Sequence, residues 1–142
     1  MKRIAILNGP NLNLLGTREP DVYGHQTLED LEAIWVAFGQ TYGVEVICFQ
    51  SNVEGELIDA IQANGFDADA ILINPGGYTH TSVALRDLIA AVDAPVYEVH
   101  ISHPEAREEF RKTSLVREVC AGSVSGLGVR GYMSVLESII SK

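Results

Sequence analysis

Glu98 and His100, in the run "EVHISHPEAREEFRK", stand two residues apart, and in a β-strand residues so spaced face the same side. A carboxylate beside an imidazole fixes the ring's tautomer and favours its protonated form, which prepares a general acid. The same pair would also serve as a buried histidine satisfied by a structural carboxylate. Ile101 and Ser102 follow where the strand runs out, and offer backbone N–H groups and a hydroxyl to an anionic ligand. Arg107 and Arg111 are four apart, hence on one face if the segment after Pro104 is helical. Glu105, Glu108 and Glu109 surround them, so an anion grip and a solvated salt-bridge face compete. His100 and His103 have no third ligand at metal spacing, and the residues are read as a site without metal.

A second group lies in "INPGGYTHTS". An apolar strand ending in Asn74 and then Pro-Gly-Gly makes a sharp turn, either a tight connection or a loop where a ligand approaches bare backbone. It lacks the lysine of a P-loop and the spacing of a dinucleotide fingerprint. His80 sits on the turn that opens the next helix, as a cap or as a ligand contact. The third group is the stretch between Asn8 and Thr27, about eighteen residues long, a length typical of lids and binding loops. It carries Arg18 and Tyr23 among Gly16, Pro20 and Gly24. A tyrosine of pKa about 10 is a poor base, and ionising it near neutrality takes about 4 kcal/mol of differential stabilisation. Guanidinium groups, from Arg18 and Arg107, are the obvious supply, and closure of the flap would strengthen them by excluding water.

The elements that must position these groups follow from apolar runs alternating with amphipathic segments, the α/β pattern. Residues 2–8, 44–50, 70–74, 95–101 and 118–124 read as strands, the first and third nearly continuously apolar as in a parallel sheet covered on both faces. Leu28, Leu31, Trp35, Phe38 and Tyr42 fall at helical spacing, with Thr27 and Asp30 as a capping box and Gly43 as the stop. Ser51 with Glu54 opens a second helix that buries Leu57, Ile58 and Ile61. A third runs over 81–92 with Val83, Leu88, Ile89 and Val92 inward, a short one follows Pro104, and the last covers 129–140. The expectation is one flavodoxin-like α/β domain over 1–142: a five-stranded doubly wound parallel sheet, order 2-1-3-4-5, helices on both faces, with a lid loop at about 9–26. Ligands of such sheets bind outside the carboxyl ends of the strands. The residues there are 8–11, 50–52, 74–77 and 100–103, mostly polar or glycine.

Bulk properties agree with an ordinary globular protein. The 142 residues carry 46% hydrophobic and 20% charged side chains and a net charge of −9. That charge argues against nucleic acid or an anionic membrane surface as partner, and an anionic substrate must be captured by local positive charge. The apolar run after Lys2-Arg3 is too short for a signal core, and reads as a first strand. Cys48 and Cys120 are apolar-flanked and read as buried thiols in a reducing, cytoplasmic setting.

Five blocks, "LNGPNLNLLGTREPDVYG", "QSNVEGELIDAIQ", "INPGGYTHTSVALRD", "EVHISHPEAREEFR" and "SGLGVRGY", together resemble a type II 3-dehydroquinate dehydratase, from Ile4 to about Tyr132. The resemblance implies dehydration of 3-dehydroquinate to 3-dehydroshikimate by anti elimination through an enolate, in the shikimate pathway, with no cofactor or metal. It places the base on Tyr23, the transition-state arginine on Arg18 and the general acid on His100. Asn11 matches the residue that holds a water against the enolate oxygen, and Arg107 the arginine beside the catalytic tyrosine. Substrate contacts carry over to Asn74, His80, Ile101, Ser102 and Arg111, and Asp87 matches an aspartate reached from a neighbouring subunit. The implied assembly is a homo-oligomer, a dodecamer built from trimers. His103-Pro104 departs from the commoner Asn and apolar residue, and "NPGG" stands for the equally familiar "NAGG". Two rivals remain at this point: a flavodoxin-like ligand-binding module without catalysis, and a metal hydrolase using His80, His100 and His103.

Overall fold

The computed structural model describes residues 1–17, 21 and 25–141; Arg18 and Tyr23 lie outside the described residues. Strands β1 (Arg3–Asn8), β2 (Glu45–Gln50), β3 (Ala70–Asn74), β4 (Val96–Val99) and β5 (Gly122–Val124) make one all-parallel sheet in the order 2-1-3-4-5. Helices α1 (Leu28–Thr41), α2 (Glu54–Asn64), α3 (Val83–Ala91) and α4 (Arg130–Ile140) cover it. This is the α/β architecture that the alternation predicts, in the strand order expected of a flavodoxin-like sheet.

Alternation along the central strands sorts the core into two layers. Ile4 and Ile6 of β1 and Leu72 of β3 pack with Leu31 and Trp35 of α1 and Leu136 of α4 on one face. Ala5, Leu7, Ile71 and Ile73 pack with Leu57 and Ile61 of α2 and Leu85 and Ile89 of α3 on the other. Burying both faces requires continuously apolar central strands, and Ile4 to Leu7 and Ile71 to Ile73 are all fully buried. The Thr27 side chain accepts from the Asp30 N–H while the Asp30 carboxylate accepts from the Thr27 N–H, so the capping box forms. Gly43, at φ +72°, follows the helix's end as expected.

Four local expectations are corrected. Ser51 does not cap α2: its N–H still bonds the Asn8 carbonyl, continuing the ladder past β2, and Val53 takes the cap position instead. The Ser51 hydroxyl then bridges the turn, accepting from the Val53 N–H and donating to Glu56. Val83 is not inward but 58% exposed, because Ser82 caps α3 and the buried pair Leu85 and Ile89 sets its inner face. Two residues before Leu85, Val83 lies some 200° around the helix from it. The last strand is only Gly122–Val124, since Arg117–Val119 forms a 3-10 turn whose Glu118 reaches out to Arg86. Finally, β4 stops at Val99, although the His100 N–H still bonds the Val124 carbonyl.

No helix among the described residues is long and apolar enough to cross a membrane. Cys48 and Cys120 are free and half-buried. Burial, with the nearby Glu32 charge for Cys48 and the Glu98 charge for Cys120, pushes both thiols up to about 12, so neither is a thiolate nucleophile near neutrality.

Candidate active site

β1 and β3 end level with one another, Asn8 beside Asn74, and the chain leaving each strand meets the other. A Cβ on Gly9 would stand 2.7 Å from the Pro75 carbonyl oxygen, so only glycine lets the two loops touch. The Gly9 N–H donates to the Asn74 carbonyl at 2.8 Å, and Gln50 at the end of β2 donates to the Gly9 carbonyl at 3.2 Å. Asn11 then adopts the left-handed region at φ +71°, with its N–H bonded to the Asn52 side chain. Buried Leu12 and Leu15 anchor the stretch that follows. The start of the segment read as a lid is therefore fastened to the sheet.

Beyond these ends lies a cleft of about 150 Å³, whose lining includes Asn11, Asn74, His80, His100, Ser102 and Arg111. Ile101 and Arg107 line it too. Asp87 is exposed on α3 and is not among the lining residues of this chain. Every described residue proposed from sequence except Asp87 and Glu98 thus borders one cavity, and Glu98 sits directly beneath it.

Glu98 is fully buried. Its Oε2 accepts from His100 Nε2 at 2.6 Å, from Ser114 Oγ at 2.8 Å and from Thr79 Oγ1. Its Oε1 faces the Arg117 guanidinium at 3.5 Å. Burial pushes this carboxyl up, but the hydrogen bonds from His100, Thr79 and Ser114 and the charge of His100 outweigh it, and bring it down to about 2. Glu98 is therefore an ion at any working pH. A carboxylate only accepts, so His100 Nε2 carries a proton and Nδ1 is the ring nitrogen left for a ligand. Thr79 and Ser114 stand 3.1 Å apart, and each spends its hydroxyl proton on Glu98.

The turn that carries Thr79 is zipped to the segment that carries Ser114. Leu115 N–H bonds the Thr79 carbonyl at 2.7 Å, and His80 Nδ1 donates to the Thr113 carbonyl at 2.7 Å. His80 Nε2 is thereby the free ring nitrogen at the cleft. Arg111 donates to Glu108 at 2.5 Å and lies over the Phe110 ring at 4.9 Å, so the salt-bridge reading is realised, in a side chain that also lines the cleft. The short helix expected after Pro104 is a single 3-10 turn, and no continuous helix carries both Arg107 and Arg111. Two 3-10 turns, Pro104–Ala106 and Glu109–Lys112, are separated by Arg107, at φ −102° and ψ −134°, and by extended backbone at Glu108. The bonds at Thr113 and Leu115 fix where this segment must go, and a continuous helix does not follow that course. Arg107 and Arg111 reach the cleft without sharing a helical face.

The "SGLG" run supports the turn after β4: Gly126 N–H bonds the Ser102 carbonyl and Gly128 N–H the Ile101 carbonyl, both at 3.0 Å. His103 pairs with Ser125 at 3.3 Å, away from His100's bond to Glu98. Among the described residues no three His, Cys, Asp or Glu side chains gather as metal ligands.

Sequence reasoning missed Thr79, Ser114 and Arg117, whose hydroxyls and guanidinium meet Glu98 from 16 to 19 residues away along the chain. No local pattern marks them. It also assigned nothing to Tyr132, the last residue of "SGLGVRGY", which is fully buried between Asn8 and Asn74.

The chain matches the family model described as dehydroquinase class II over residues 2–140. A 3-dehydroquinate dehydratase from Rhodopseudomonas palustris is 52% identical over 142 residues, covering 99% of this chain and 94% of that one. The crystal structure of a type II dehydroquinase from Propionibacterium acnes superposes with a TM-score of 0.95 at 38% identity, covering 100% of this chain and 98% of the other. That of a type II dehydroquinase from Butyrivibrio crossotus gives 0.93 at 44% identity over 97% of each chain.

Proposed function

This chain belongs to the dehydroquinase class II family, and from that premise we propose how its residues convert 3-dehydroquinate to 3-dehydroshikimate. The activity is that of a hydro-lyase of the shikimate pathway, and the reading as a non-catalytic binding module is not favoured. The observation that carries the mechanism is the buried Glu98 carboxylate holding His100 by Nε2 at 2.6 Å, at the floor of the cleft.

Elimination β to a ketone needs a base at the adjacent carbon, an acid at the leaving oxygen and donors for a transient enolate. In this reading Tyr23 is the base. As a phenolate kept ionised by Arg18 and Arg107, it removes the proton, and the C–H electron pair moves into the enolate. Asn11 holds a water whose hydrogen bond supports the enolate oxygen, and Arg18 stabilises the transition state. The carbonyl then re-forms, the β C–O bond breaks, and His100 as imidazolium gives its Nδ1 proton to the departing hydroxyl, which leaves as water. Glu98 balances the imidazolium charge. The ketone is the electron sink, so the chemistry calls for no cofactor.

Asn74, His80, Ile101, Ser102 and Arg111 hold the substrate, and Arg111 opposes the unfavourable net charge of −9 near the substrate carboxylate. Asp87, exposed on α3, is assigned to the site of a neighbouring copy within a homo-dodecamer of trimers. Residues 1–142 act as one catalytic domain with a flap at about 9–26, in the cytoplasm.

Formation of the conjugated enone from 3-dehydroquinate, followed by its ultraviolet absorbance, tests the activity. In the same assay Tyr23→Phe is expected to lower kcat by about 10³-fold or more, with folding and substrate binding retained. A variant turning over near the parental rate discards the assignment of the base.

A further inference from the structure

Among the described residues of the sequence blocks, Tyr132 is the one buried titratable side chain to which the mechanism gives no work. Its ring is fully buried on α4 and packs on Trp35 with centroids 4.4 Å apart. Its hydroxyl lies between the side chains of Asn74 at 2.9 Å and Asn8 at 2.6 Å, the last residues of β3 and β1.

The direction of these bonds follows from a group whose role is not ambiguous. The Gly76 backbone N–H can only donate, and it meets Asn74 Oδ1 at 3.1 Å. The Asn74 amide must therefore turn its oxygen to Gly76 and its Nδ2 to Tyr132. A hydroxyl oxygen that accepts from Nδ2 has its proton free for the other neighbour, so Tyr132 donates to Asn8 Oδ1. Each bond fixes the next, from a backbone amide in the Pro-Gly-Gly turn to the end of β1. Burial pushes the Tyr132 phenol up, against a lowering by the Asn74 hydrogen bond, so the group stays a neutral donor throughout. Asn8 is itself fully buried, and its Nδ2 has no partner among the described residues, so Asn8 is held through Oδ1.

We infer that Tyr132 is a positioning residue for substrate recognition: by accepting from Asn74 Nδ2 and donating to Asn8, it acts with the Gly76 N–H to lock which edge of the Asn74 amide meets the substrate. The inference rests on the reading of Asn74 as a substrate contact, and Asn74 does line the cleft. An Asn amide free to rotate presents a donor and an acceptor with interchanged positions, and a hydroxyl-bearing substrate would meet the wrong one in part of the molecules. Tyr132 touches the reacting atoms nowhere, so its loss acts on binding rather than on proton transfer.

The test is a double-mutant cycle in the enone assay with Tyr132→Phe and Asn74→Ala, each also melted thermally. Tyr132→Phe is expected to raise KM about tenfold with kcat changed by less than about threefold. Asn74→Ala is expected to raise KM at least as much, and adding Tyr132→Phe to it should change KM no further. Asn8→Ala, which removes the anchor of the relay without entering the cleft, should reproduce part of the Tyr132→Phe increase. A Tyr132→Phe enzyme that melts lower but keeps the parental KM overturns the inference while leaving the Asn74 contact intact. Parental KM in Asn74→Ala overturns the contact and the inference together, and equal KM increases from Tyr132→Phe in both backgrounds overturn the inference alone.

Discussion

Two buried polar clusters lie under the cleft, and they are built on opposite principles. On β4 a single carboxylate oxygen of Glu98 collects three donors, from His100, Thr79 and Ser114, and the ion is held in place by charge. On β1 and β3 the Asn74, Tyr132 and Asn8 side chains form a neutral chain, in which each bond dictates the polarity of the next. The charged cluster decides where a proton resides, and the stability that Glu98 lends it is lost in acid. The neutral chain decides which way an amide points, and its groups do not titrate in the working range. In the proposed mechanism the first serves the leaving group and the second the orientation of the substrate ring.

The largest effect that separates them is expected from Glu98→Gln. It keeps the side chain's shape and removes the charge that His100 faces, so kcat should fall by about 10²-fold or more with KM nearly unchanged. That is the reverse of the split expected at Tyr132. A Glu98→Gln enzyme that loses KM rather than kcat would erase the distinction between the clusters.

Acid stability gives the next contrast. The folded Glu98 carboxyl is lowered from 4.5 to about 2, so the unfolded chain binds this proton first as pH falls. Its contribution is fully present above about pH 4.5 and is lost as pH drops through 2, about 3 kcal/mol in all. Denaturant unfolding measured at a series of pH values between 6 and 2 should show this slope in the parent and lack it in Glu98→Gln. The deficit of Tyr132→Phe should be the same at every pH in that range; a deficit that changes with pH would place Tyr132 in the charged class.

The smallest effect belongs to Ser114→Ala. It removes one of three donors to a carboxylate that keeps the other two, with an expected cost of about 1–2 kcal/mol in stability and a few-fold loss in kcat. Chemical denaturation and the enone assay together check it. No change in either measurement would mean that His100, Thr79 and Arg117 hold the ion without Ser114.

Neighbouring residues explain what was legible beforehand. Glu98 and His100 are two apart, and the strand period alone puts them in contact. Thr27 and Asp30 are three apart, and the capping box needs nothing more distant. The edge where Asn74, His80, Ile101 and Ser102 meet follows from a rule about parallel sheets rather than from any one residue. The misreadings have the opposite character. Ser51 looked like a helix cap until its N–H was seen to bond Asn8, 43 positions earlier in the chain. Arg107 and Arg111 looked like helical neighbours, but the bonds from Leu115 to Thr79 and from His80 to Thr113 route their segment differently.

By itself the amino-acid order determined the alternation of strands and helices and the polar or glycine-rich turns after the strands where chemistry gathers. Each of these is set by periodicity or by a turn a few residues long. Only the tertiary structure decided that Thr79, Ser114 and Arg117 surround Glu98 and that Tyr132 spans Asn74 and Asn8. Hydroxyls and phenols carry no signature of their partners in the chain. Their bonds exist because close packing brings groups 16 to 124 residues apart into one dry volume, where each polar atom left without a partner costs about 1–3 kcal/mol.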